Sequence, residues 1–206
     1  MPPTLINKKT GEPAIEERTP PPEGYRIAIR LALVSITMLF LVLTSAYIFN
    51  HANRHPIVMP KVFWLSTFLI IASSLTMELA RRSLKRRDER GYKLRLAITI
   101  ALGLGFLMAQ LAAWHQLVER GFYINSNFYK GDTYTRNFHS TYAYLFTGLH
   151  GVHLLGGLVA LCYLALRAQG NWTMVRRRVS FDVTALYWHF LAGLWLYLLA
   201  FLFFWK

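Results

Sequence analysis

The chain has 206 residues, of which 54% are hydrophobic and 15% aromatic, yet its formal net charge is +13. That pairing excludes an ordinary soluble domain and a disordered chain. It also argues against nucleic-acid binding, because the cations lie between long apolar runs rather than among stacking aromatics.

In chain order, residues 1–26 come first and hold six of the eight prolines, with the run "TPPPEG" and the acids Glu12, Glu16, Glu17 and Glu23. Such a stretch cannot propagate a helix and has little apolar surface to bury, so it reads as a mobile arm. A bilayer core of about 30 Å needs about 20 helical residues to cross it, and five stretches reach that length, at about 27–49, 62–80, 96–118, 142–166 and 183–205. The expected fold is therefore all-α, an integral membrane bundle of five transmembrane helices in one domain, 27–206. The first span is longer than a signal-peptide core and reads as a retained helix.

In the second span Glu78 is the one carboxylate plainly within apolar sequence. It stands one turn before Arg81 and Arg82, as an interfacial ion pair would. The third span repeats a small residue every four positions, at Ala97, Ala101, Gly105, Ala109 and Ala113. Such a row can form a shallow ridge for close helix packing. Cys162, in the fourth span, is the single cysteine, so an intrachain disulfide and a cysteine metal site are both excluded.

The fourth span also carries two histidines. At 100° per residue His150, His153 and Gly157 share one side with Ala143 and Phe146. In the fifth span Asp182, Ala185, His189, Gly193 and Ala200 share an arc, while Trp188 and Trp195 form a separate aromatic stripe. The economical reading is a packed interior in which imidazoles bond to other helices or to a lipid headgroup. The sharper alternative is a haem b membrane anchor clamped by His153 and His189, which fall at similar depths. A small transporter ranks lower, since the sequence has no internal repeat. No buried acid is evident for a proton pump or a carboxylate-bridged metal.

Lysine and arginine gather on the cytoplasmic side of short connections. The amino-terminal segment with the 81–95 and 167–182 connections holds seventeen such residues, and the opposite side holds six. The amino terminus is accordingly expected inside and the carboxyl terminus outside.

The stretches "STYAYLFTGLHGVHLLGG" and "YWHFLAGLWLYLL", preceded by "STFLIIASSLTMELARRSL" and "GLGFLMAQLAAWHQL", resemble cytochrome c oxidase subunit III of the haem-copper oxidases over roughly residues 27–205. The resemblance implies a subunit with no catalytic, cofactor-binding or metal residue of its own, which supports a catalytic partner in aerobic respiration. Haem and copper would belong to the partner chains, with oxidase subunit I the main contact, subunit II nearby and phospholipid as a ligand. It also implies that His150, His153, Tyr187, Trp188, His189, Phe190 and Trp195 build the bundle interior. The setting would be the bacterial plasma membrane ahead of the mitochondrial inner membrane. Longer members have seven spans, of which this chain matches the last five. Quinol oxidases and a nitric-oxide-reductase-type complex share the pattern, so the electron donor stays open. Two departures stand out: Ile36 and Ala192 occupy positions where many members carry an acid.

Overall fold

A computed structural model describes residues 22–49, 62–119, 127–130, 133–136, 138–169 and 174–204. The helices are α1 (Pro22–Phe49), α2 (Val62–Lys85), α3 (Glu89–Glu119), α4 (Phe138–Arg167) and α5 (Met174–Phe204). All five are long and apolar enough to cross a membrane. Most of the arm read from residues 1–26 lies outside the described residues, but its last five belong to α1. Pro22 can open that helix because its fixed φ suits the first turn, where its missing N–H would have no intrahelical partner.

The basic connections are mostly helix. The expected 81–95 loop contracts to residues 86–88 between α2 and α3. Arg87 takes the left-handed conformation, with φ 59°. The amide of Asp88 reaches the Ser83 carbonyl at 3.0 Å and that of Arg87 reaches Leu84 at 3.4 Å, the paired bonds of a Schellman stop. Asp88 then caps α3 by accepting from the Gly91 amide at 3.0 Å. Arg82 and Lys85 close α2 and Glu89 opens α3, each sign opposing the local helix dipole. Hydropathy ended these spans early because it counts charge as a stop, while helix propensity does not.

The connection after α3 contains an antiparallel hairpin, β1 (Asn127–Lys130) and β2 (Thr133–Arg136), with Lys130 paired to Thr133. The hydropathy pattern that defines the five spans does not predict it. Its signal was present, since a Gly-Asp pair flanked by "NFYK" and "TYTR" is a favoured two-residue hairpin loop.

Helices α2 to α5 enclose the main core, with Ile70, Met77, Phe106, Leu154, Trp188 and Trp195 all but inaccessible. Helix α1 packs only on α5 and α4 among the described helices. It does so through a smaller cluster, in which Phe40 and Tyr47 meet Phe146, Leu194, Leu198 and Leu202.

The row of small residues in α3 does not make one contact ridge within the chain. Ala109 and Ala113 are buried and Gly105 is half-buried, whereas Ala97 and Ala101 are exposed. A four-residue step turns 400°, so the row drifts about 40° per step and winds off the inward face. The close approach is made two residues away. A Cβ on Gly103 would lie 2.8 Å from Cη2 of Trp188, while one on Gly105 would meet nothing nearer than Leu69 at 3.7 Å.

Candidate functional site

The inward stripe of α5 is the aromatic one. Trp188 and Trp195 are buried, and Gly193 and Ala200 of the arc drawn through His189 are exposed. The reason is hydrogen bonding. An indole N–H away from water needs an acceptor, and α2 supplies hydroxyls at matching intervals. Trp188 Nε1 donates to Ser73 Oγ at 3.1 Å, and Trp195 Nε1 donates to Thr67 Oγ1 at 3.1 Å. Beside the first rung the Ser74 hydroxyl bonds to Nδ1 of His189.

Two glycines grip the same tryptophan. Gly103 of α3 closes on one edge of Trp188, and a Cβ on Gly157 of α4 would lie 3.1 Å from its Cε3. Three helices thus meet at one indole, and both glycines are needed for close approach rather than for backbone freedom.

The histidine pair of α4 splits into two environments. His153 bonds through Nδ1 to the Leu149 carbonyl at 2.7 Å, and its own carbonyl accepts from the Tyr187 hydroxyl at 3.0 Å. Its ring lies 6.0 Å from that of Phe40 on α1. His150 is fully buried and stands between Phe106, at 5.9 Å, and Trp195, at 5.4 Å between ring centroids. His153 and His189, grouped in the haem alternative, engage different neighbours, one its own helix and Phe40, the other Ser74 of α2. Among the described residues no group of three or more His, Cys, Asp or Glu side chains could hold a metal ion.

At the α1-start end of the bundle lies a charged cluster. Arg81 pairs with Asp182 of α5 at 2.9 Å. Glu78 is more distant, 3.9 Å from Arg81 and 3.8 Å from Arg82. The expected pair within α2 is therefore the looser part of a network whose short contact runs between helices. Arg81, Asp182 and His189 line a cavity of about 320 Å³ together with Arg26 and Arg30 of α1. At the same end Arg177, 7% exposed, bonds to Glu89 of α3 at 2.5 Å and donates to the Ala168 carbonyl at 3.4 Å. It ties the ends of α3, α4 and α5 together.

The sequence alone does not pick out the partner hydroxyls Ser66, Thr67, Ser73 and Ser74, or Gln110 and Arg177, and it places Asp182 on the His189 arc without its partner Arg81. Hydroxyls at 67 and 73, six apart and close to the seven-residue spacing of Trp188 and Trp195, were the available signal. Ile36 packs at the edge of the α1 cluster and Ala192 lies in the main core, so both departures from the acidic pattern are apolar contacts here.

The family model for cytochrome c oxidase subunit III matches residues 17–206. Among curated relatives, a probable cytochrome c oxidase subunit 3 of Mycobacterium leprae is 31% identical over 138 residues, 67% of this chain and 63% of the relative. The cytochrome c oxidase subunit 3 of Bacillus sp. (strain PS3) is 29% identical over 195 residues, covering 90% of this chain and 89% of its own. That of Dugong dugon is 30% identical over 151 residues, 73% of this chain and 53% of the relative. The match thus spans less than two thirds of the mycobacterial and dugong proteins and nearly all of the bacillar one.

Proposed function

The chain belongs to the cytochrome c oxidase subunit III family, and from that premise we propose that it is the non-catalytic subunit III of a haem-copper terminal oxidase in aerobic respiratory electron transport. Its work on this reading is mechanical: it supports a catalytic subunit I, with subunit II and membrane lipid as further neighbours, and haem and copper stay in those partners. The observation that carries the reading is how the family motif is used. Tyr187, Trp188, His189 and Trp195 each have a hydrogen-bonding partner on another helix, so the motif holds helices together. A catalytic cluster would instead converge on a shared space.

The same reading places the chain in a bacterial plasma membrane with the start of α1 in the cytoplasm, as the loop charges favour. The cavity lined by Arg26, Arg30 and Arg81, the last paired with Asp182, suits the anionic headgroup of a phospholipid at an interface.

The test is co-purification after mild detergent extraction, with a pyridine haemochrome assay on the assembly and on the isolated chain. A haem-copper subunit should co-purify. Haem per complex should be unchanged in His153→Gln and His189→Gln, because neither imidazole is a ligand. Stoichiometric haem b in the isolated chain, lost in both variants, would falsify the proposal and establish a haem anchor.

A further inference from the structure

One level of the bundle collects a polar side chain or an indole from each of α2, α3, α4 and α5. Ser66 of α2 accepts from Gln110 Nε2 at 3.1 Å, and the next residue, Thr67, accepts from Trp195 of α5. Trp195 lies against His150 of α4, and Phe106, one turn from Gln110 on α3, meets both of those rings. Register on the α3–α4 side agrees: Trp114 donates to Thr147 and Gly103 faces Leu158, which in an antiparallel pair sets Gln110 level with His150. The relative exposures of His150, Ser66 and Gln110 are 0%, 0% and 4%.

Three atoms at this level have no hydrogen-bond partner among the described residues: Nδ1 and Nε2 of His150 and Oε1 of Gln110. The contrast with His153, whose Nδ1 bonds to its own helix, shows that α4 itself does not serve His150. A neutral imidazole offers one N–H donor and one lone pair, and an amide oxygen offers two lone pairs. Each such group left bare inside a protein is costly, and in hydrocarbon there is no bulk water to relieve it. The available donor set, an imidazole, an amide oxygen and a hydroxyl, carries no carboxylate or thiolate to hold a cation. It suits a small neutral molecule that can both donate and accept.

We propose that His150, Gln110 and Ser66 form an internal water site, in which one ordered water bridges the His150 ring to Gln110 Oε1. The water donates to the amide oxygen and accepts from the ring N–H of His150. Ser66 is held beside it: its hydroxyl donates to the Phe63 carbonyl at 2.9 Å and keeps one lone pair free for a second hydrogen from the same water. Buried waters with two to four polar partners of this kind are ordinary parts of folded proteins. This one would join α3 to α4 one turn from the direct bond between Trp114 and Thr147.

The experiment is infrared spectroscopy on the detergent-extracted assembly equilibrated in H2(16)O or H2(18)O. The native assembly should show an isotope-sensitive O–H stretching band of an isolated water, and both His150→Phe and Gln110→Leu should lose or shift it. A band unaffected by both variants, or no such band in the native assembly, overturns the site. A high-resolution density map of the native assembly keeps the test open should a variant fail to assemble. Density bridging the His150 ring and the Gln110 amide supports the proposal. A ring nitrogen bonded instead to a lipid or to another subunit defeats it.

Discussion

Helix α1 is more apolar than any helix of the α2–α5 bundle, yet the bundle is the more firmly held. The bundle has indole-to-hydroxyl rungs, a tryptophan gripped by two glycines, and the Arg177–Glu89 tie. Helix α1 has an aromatic cluster, and the Tyr197 hydroxyl of α5 donates to its Thr44 Oγ1 at 3.2 Å. Its own hydroxyls at Ser35 and Thr37 turn back to carbonyls of the same helix. Lipid tails are as apolar as leucine, so apolar composition alone cannot draw helices together in a bilayer. Close approach and paired polar groups must supply the difference, and only the bundle is rich in both.

The largest expected effect strikes the bundle at its tightest point. Gly103→Leu forces an isobutyl group into the space of a fully buried indole that is also bonded to Ser73, and overpacking of that sort typically costs about 1–3 kcal/mol. Thermal unfolding of the detergent-extracted assembly should drop clearly for Gly103→Leu and little for Gly105→Leu, whose site is open. Equal losses at both positions would show that α3 packs by its four-residue row after all.

A smaller effect separates the regions. Trp188→Phe removes one rung and should cost about 0.6 kcal/mol, up to about 1.7, the range for hydrogen bonds between membrane helices. Tyr197→Phe removes the α1 bond at the low end of that range. Hydrogen exchange should then quicken in α1 alone for Tyr197→Phe, and across α2 and α5 for Trp188→Phe. Exchange spreading through the bundle in the first variant would mean that α1 is not the independent part.

The smallest effect sits at the turn between α2 and α3. Arg87 has a left-handed φ that costs a non-glycine residue about 1–2 kcal/mol, partly offset by the chain entropy glycine loses on folding. Arg87→Gly should stabilise the assembly by about 0.5 kcal/mol. A fall in melting temperature would show that the arginine makes contacts worth more than its backbone strain.

How much of this was legible in the sequence differs by element. The five spans follow from length and apolar composition, which the bilayer makes nearly decisive. Helix ends did not, because Arg81, Arg82, Arg90 and Lys93 bound the apolar runs without ending a helix. The motif residues of α4 and α5 were identified through resemblance, but their partners on α2 were not, since serine and threonine in a membrane helix can equally satisfy themselves on their own backbone. Ser35 and Thr37 do so. Ser73 does too, donating to Ile70, while its oxygen also accepts from Trp188.

What the sequence determined by itself is the number of spans, their apolar lengths and the charge bias of the connections, all quantities set by each segment's interaction with its solvent. What only the tertiary structure decided is which face of each helix turns inward. In α5 the tryptophan stripe prevailed over the small-residue arc, and in α3 Gly103 prevailed over Gly105, because facing depends on where a neighbour places its acceptors and its bulk. His150 shows the same limit most sharply. Its burial could be guessed from α4 alone, but that its ring nitrogens find no hydrogen-bond partner among the described residues follows only from how Phe106 and Trp195 stand around it.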